Sequence, residues 1–119
     1  MERREYPRLG ETVWHEVLPN GLPVYVLTRP ESSEQFACFA VRCGGASTRI
    51  PDGRGGWEDL PAGTAHYLEH KMFDTEGGSA SDRFGETGAS DNAFTSETMT
   101  AYYFTGTRDF EENLRTLLK

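Results

Sequence analysis

The sequence predicts an α+β fold in which a largely antiparallel sheet is packed with helices. Three observations carry this. The β-rich runs 12–18 and 22–28 flank Pro19-Asn20-Gly21, and Asn-Gly between such runs is a strong hairpin signal because both residues tolerate positive φ. Residues 36–43, 89–95 and 98–105 read as further strands. The stretches 64–73, 80–86 and from Asp109 onward carry helical start signals or helical spacing of apolar residues.

In chain order, residues 1–11 read as a polar lead-in, set apart from a domain over 12–119. The hairpin follows; His15 within it is assigned no role. After the turn-rich 29–34, the third strand (36–43) is apolar on both faces, as expected inside a sheet covered on each side, and Gly44-Gly45 ends it. Residues 44–63 are dense in Gly, Pro and Asp, without Walker or dinucleotide spacing, and read as a plain loop. The next helix takes Thr64 as N-cap and Gly77-Gly78 as stop. A short helix over 80–86 ends at Gly88, and two strands then meet near Ser96-Glu97. Asp109 with Glu112 resembles a capping box, and Phe110, Leu114, Leu117 and Leu118 recur at helical spacing. That helix is still running at Lys119, so the chain is expected to be truncated.

A length of 119 residues fits one small domain or part of a larger one. Hydrophobic residues at 36%, with 7 Phe, 5 Tyr and 2 Trp, supply a modest core and speak against disorder. The formal charge of −7 speaks against nucleic acid or an anionic membrane as partner. The charged N-terminus is no secretory signal, and no apolar run approaches membrane-spanning length. Cys38 and Cys43, read on one strand, would lie about 16 Å apart, too far for a bridge. A soluble cytoplasmic protein with reduced thiols fits.

The chemistry gathers on Ala65-His66-Tyr67-Leu68-Glu69-His70-Lys71-Met72-Phe73. On a helix, His66, Glu69 and His70 share one face within an arc of about 100°. Two neutral imidazoles can bind zinc (Zn2+), and a carboxylate beside them, off the metal, can take a proton from the attacking water and later pass it to the departing amine. The spacing H-x-x-E-H is that of the inverzincins. The plainer reading is a surface helix that carries these residues by chance. A catalytic zinc takes three protein ligands. Asp74, one turn further along the same stripe, would lie about 12 Å from His66 along the axis, beyond what one metal can bridge. Glu76, Asp82, Glu86, Asp91 and Glu97 leave the third ligand open.

Residues 63–73 closely resemble the active-site segment of the pitrilysin family, which includes insulin-degrading enzyme, the mitochondrial processing peptidases and small bacterial processing proteases. Further matches occur in order: Leu18-Pro19-Asn20-Gly21-Leu22, Gly88-Ala89-Ser90-Asp91-Asn92-Ala93-Phe94-Thr95-Ser96, Tyr102-Tyr103-Phe104 and Glu112-Asn113-Leu114. The likeness covers roughly 12–119, and Lys71 is similar to the bacterial processing-type members. Gly44-Gly45-Ala46-Ser47 departs from the family's Gly-Ser-rich segment. The resemblance implies the first half of a pitrilysin-like domain, with His66 and His70 as zinc ligands and Glu69 as general base. It also implies a third ligand, a glutamate on a later helix beyond Lys119. The substrate, a peptide or small protein, would add as a strand along Asn92, Ala93, Phe94 and Thr95, and a second family domain or subunit would close over it. Phe94 is equally readable as a core aromatic.

The expected function is therefore a zinc metalloendopeptidase acting on peptides or small precursor proteins, the 119 residues alone being inactive. A non-catalytic peptide-binding subunit of a heterodimer is the alternative, and a small metal-binding domain without proteolysis is a third reading. Intact His66, Glu69 and His70 favour the enzyme.

Overall fold

The computed structural model of the chain describes residues 1–75 and 78–119. It divides into two compact units, Met1–Ser33 and Glu34–Lys119.

The first unit is an antiparallel sheet of β1 (Glu2–Tyr6), β2 (Glu11–Val17) and β3 (Pro23–Leu27), in that order. The lead-in is thus a strand, with Glu2 opposite His15 and Arg4 opposite Val13. Its side chains are all exposed, so no apolar alternation marks it in the sequence. The expected hairpin joins β2 to β3, but not by a two-residue turn. Gly21 N–H donates to Leu18 O at 2.8 Å and Leu18 N–H to Leu22 O at 2.9 Å. Only Gly21 takes positive φ, at 87°. Pro19 pre-sets the first turn angle, and Asn20 instead uses Oδ1 to accept from Leu22 N–H at 3.0 Å.

The second unit runs β4 (Gln35–Val41), β5 (Arg49–Pro51), β6 (Trp57–Asp59), α1 (Thr64–Met72), β7 (Asp74–Thr75), β8 (Gly78–Ser79), α2 (Ala80–Glu86), β9 (Ser90–Thr95), β10 (Thr100–Gly106) and α3 (Phe110–Leu117). Its main sheet is antiparallel, in the order β4-β10-β9. The α+β, mainly antiparallel class is as the sequence predicts. Tyr102 stands opposite both Phe39 and Ala93, so β10 is central and its Ala101, Tyr102 and Phe104 are buried.

β4 departs from expectation. It lies at an edge of the described sheet, and Phe36 on its outer face is 58% exposed. The other face meets the helices. There Phe84 stacks on Phe104 at 5.6 Å and meets Phe73 edge-on at 6.3 Å, with Leu114 and Leu117 packed against the cluster. Burial of this kind contributes roughly 25 cal/mol per Å² of apolar surface and anchors α2 and α3 to the sheet.

The loop 44–63 contains the small β5–β6 hairpin, whose turn is closed by Asp52 Oδ1 accepting from Arg54 N–H at 2.7 Å and Gly56 N–H at 2.9 Å. Neither cysteine is in a disulfide, and Cys43 lies beyond the end of β4. Among the described residues no helix is long and apolar enough to cross a membrane.

Helix ends also differ from expectation. Gly63, at φ 82°, is the N-cap of α1, and Thr64 Oγ1 donates back to Pro61 O at 2.6 Å instead of capping. The helix ends at Met72; of its expected stop, Gly78 belongs to β8 and Gly77 lies outside the described residues. The α2 span matches the sequence reading, with Ser79 Oγ accepting from Ser81 N–H at 3.2 Å as a true cap. The capping box at α3 is absent. Asp109 takes left-handed φ 56°, ψ 41° and makes no side-chain cap hydrogen bond. The α3 helix itself closes at Leu117, where Leu118 N–H returns to Leu114 O at 3.1 Å.

Candidate active site

Helix α1 lays Ala65 against the unit, 6% exposed, and this choice of inner face fixes where the chemistry points. His66, Glu69 and His70 then share one side, since residues three and four apart are neighbours on a helix surface. The two imidazoles stack, with centroids 4.8 Å apart and planes 21° from parallel, and both residues are exposed. Glu69 is half-buried and turns toward the sheet, where its Oε2 accepts a hydrogen bond from Thr95 Oγ1 at the end of β9. The three residues singled out in the sequence therefore share one helix face, the imidazoles stacked on each other and the Glu69 carboxylate tied to β9.

The donor set suits zinc as far as it goes. Paired imidazoles, accessible and one helical turn apart, are nitrogen ligands of the kind zinc takes, and a carboxylate shares their helix face. Among the described residues no group of three or more His, Cys, Asp or Glu could hold a metal. Asp74 is not on the helical stripe at all, because α1 ends at Met72 and Asp74 begins β7, so no axial distance along one helix separates it from His66. Asp91 Oδ2 instead accepts from Ser81 Oγ at 2.6 Å, tying β9 to α2. Glu76 lies outside the described residues.

Asn92, Ala93, Phe94 and Thr95 all fall on β9, which pairs with β10 alone among the described strands and leaves its other edge open. Strand alternation divides them. Ala93 and Thr95 face the helices with Thr100 and Tyr102, while Asn92 and Phe94 face the opposite side. Phe94 is 45% exposed, 6.3 Å from the Tyr103 ring, so the reading of it as a core aromatic does not hold. Ala93 N–H is taken by Asn92 Oδ1 at 2.8 Å.

Two features of the site escape a reading of the sequence. Thr95 enters that reading for its backbone, whereas its hydroxyl reaches Glu69 across 26 positions of sequence. The other is a strap over the β9–β10 turn, where Gly45 N–H donates to Ser96 O at 2.8 Å and Ala46 N–H to Glu97 O at 2.9 Å. A Cβ on Gly44 would stand 2.4 Å from Ser96 O, so only glycine fits. The Gly44-Gly45 pair is the available signal for such a close backbone approach. Beside these groups, burial first, then the nearby Glu69 and Cys43 charges, push the Tyr102 phenol above its usual range.

The family model for Insulinase (Peptidase family M16) matches residues 55–117, just over half of the chain and all of the helix-bearing site. The chain belongs to the peptidase M16 family. Over 115 residues, 96% of its length, it is 44% identical to the uncharacterised zinc protease YmfH of Bacillus subtilis (strain 168), spanning 27% of that protein. It is 34% identical over 108 residues to insulin-degrading enzyme-like 2 of Arabidopsis thaliana, spanning 10% of it. Among solved structures, an M16-like peptidase from Alicyclobacillus acidocaldarius superposes with a TM-score of 0.84 at 37% identity, covering 97% of this chain and 26% of that one. The pitrilysin-type resemblance of the chain is thereby shown. This M16 chain spans about a quarter of the length of the bacterial relatives it matches.

Proposed function

We propose that this M16 chain carries the metal-binding and proton-transfer side chains of a zinc-dependent metalloendopeptidase that hydrolyses peptide bonds in peptides or small precursor proteins. The observation that carries it is the shared face of α1: two stacked imidazoles beside a carboxylate held toward the sheet. His66 and His70 would hold the zinc through ring nitrogens. Bound zinc supplies a water of lowered pKa and a Lewis acid for the scissile carbonyl. Glu69 takes the proton as the water oxygen attacks the carbonyl carbon, then delivers it to the amine nitrogen as the C–N bond breaks. The third ligand comes from protein outside these 119 residues.

The substrate is proposed to add as a strand along the open edge of β9, at Asn92, Ala93, Phe94 and Thr95. Ala93 N–H, satisfied by the neighbouring Asn92 side chain, supports this, because a local side-chain acceptor is readily exchanged for an incoming carbonyl. A second family domain or subunit would cover the site. In support, both histidines are open to solvent here, whereas hydrolysis gains from excluding bulk water.

In the full-length protein, assayed on an internally quenched peptide derived from β-casein, Glu69→Gln should keep its zinc and lose about 10²- to 10⁴-fold in kcat. Undiminished turnover would sink the mechanism.

A further inference from the structure

We propose that the Thr95 hydroxyl positions Glu69, a role distinct from the one its backbone has in the proposed substrate strand. This rests on the reading of Glu69 as the proton acceptor.

Glu69 is a flexible side chain on an otherwise exposed helix face, and its carboxylate could sweep a wide arc. Its Oε2 accepts from Thr95 Oγ1, which leaves Oε1 to meet the water. For that bond to orient the carboxylate, Thr95 must itself be fixed, and three observations fix it. Thr95 ends β9 directly before a closed turn, in which Ser96 N–H donates to Met99 O at 2.8 Å and Met99 N–H to Ser96 Oγ at 3.1 Å. The Gly44–Ala46 strap then holds that turn from outside, at Ser96 O and Glu97 O, with no room for a side chain at 44. Finally, a β-branched residue in a strand has a restricted χ1, so the hydroxyl direction follows from the backbone.

The neighbouring hydroxyl does not compete. Thr100, opposite Thr95 across the strand pair, donates to Cys43 O at 2.7 Å. The Tyr102 phenol, two residues along the same face, feels the Glu69 charge, which agrees with a carboxylate turned toward the sheet. A carboxylate held by one donor on one oxygen is a defined proton acceptor, and misplacement of such a group costs turnover without touching substrate affinity.

The test uses the full-length zinc-loaded enzyme and the same β-casein peptide. Thr95→Val should lower kcat about 10- to 100-fold with KM unchanged within about twofold and zinc content unchanged. Thr95→Ser, which keeps the hydroxyl but frees χ1, should recover most of the turnover that Thr95→Val loses. In the Glu69→Gln background, adding Thr95→Val should change neither residual turnover nor peptide affinity measured by fluorescence anisotropy. Loss of turnover in the serine variant as well, a rise in KM, lost zinc, or weakened peptide binding in the Glu69→Gln background would each overturn the positioning role. If Glu69→Gln itself remains active, it is the general-base reading that fails. If Glu69→Gln is inactive while Thr95→Val turns over normally, only the positioning role fails.

Discussion

The two ends of the helix-covered face differ sharply. Around α2, β10 and α3 lie the wholly buried large side chains, Phe84, Phe104 and Asn113, with Leu114, Leu117 and Phe73 packed against the first two. Helix α1 buries Ala65 alone and leaves Tyr67, Leu68 and Met72 exposed. Yet α1 carries His66, Glu69 and His70, the three residues proposed for metal binding and proton transfer. Burial and the proposed chemistry thus fall on different helices of one unit. The links between them are that Phe73, just past α1, meets Phe84 and Tyr102 edge-on at 6.3 and 5.7 Å and accepts from Ala80 N–H at 2.8 Å, and that Glu69 meets Thr95. A helix of nine residues has little stability of its own, so these ties and the sheet beneath it keep it in place.

The largest test of that contrast is Phe84→Ala. Phe84 is 0% exposed, and its removal should cost about 3–5 kcal/mol through lost burial and the cavity left behind. Tyr67→Ala on α1, at 64% exposure, should stay within about 0.5 kcal/mol. Urea midpoints of the two variants check the pair. Equal losses would mean that α1 is as deeply built into the fold as α2, and the contrast would disappear.

How much of this is legible in the sequence follows from the range of the forces involved. The β2–β3 hairpin, the α2 span and the shared face of His66, Glu69 and His70 depend on residues within a turn or two of one another, and sequence spacing reports those directly. Strand β1 is hidden because its pairing with β2 is made by backbone groups, while its side chains are exposed and mostly charged. β4 reads as an interior strand because Phe36, Cys38 and Ala40 are apolar, although the central place belongs to β10. The Thr95–Glu69 tie and the strap at Gly44 join distant stretches, which no local pattern encodes. Asp109 fails for another reason: the right residue type stands at the helix start, but its backbone is left-handed, so its carboxylate does not cap.

Asn113 offers a test of intermediate size at the packed end. It is a polar residue beside the apolar positions of α3, yet it is 1% exposed. Its Oδ1 accepts from Thr87 Oγ1 at 2.5 Å and its Nδ2 donates to Arg108 O at 3.2 Å, so α3 is joined to the end of α2 and to its own approach. Asn113→Ala removes both bonds and leaves a small cavity, although the Thr87 hydroxyl keeps Phe84 O as an acceptor at 3.0 Å, and should cost about 1–3 kcal/mol. Because Thr87→Val removes the same bond from the other side, its loss combined with that of Asn113→Ala should be less than the sum of the two single losses. Additive losses in a double-mutant cycle, read by urea unfolding, would show packing volume to be the cause instead.

The smallest effect concerns Asp109, where packing and local sequence make opposite claims about what starts α3. A capping carboxylate would make Asp109→Gly destabilising by a few tenths of a kcal/mol. The observed residue has φ 56° and no cap hydrogen bond, and its side chain lies 3.8 Å from exposed Arg108, a pairing of little worth. Glycine removes left-handed strain of about 1 kcal/mol and returns much of that gain as unfolded-state entropy. The net should be about 0 to 0.5 kcal/mol in favour of the variant, read from the same unfolding curves at high salt to suppress the helix-dipole contribution. A gain means that α3 starts where it does because Phe110 meets Phe104 at 5.8 Å and Asn113 is bonded on both sides, with tertiary contacts holding Asp109 in a conformation its own sequence disfavours. A loss would return the helix start to local capping and weaken the claim that this end of the unit is governed by its packing.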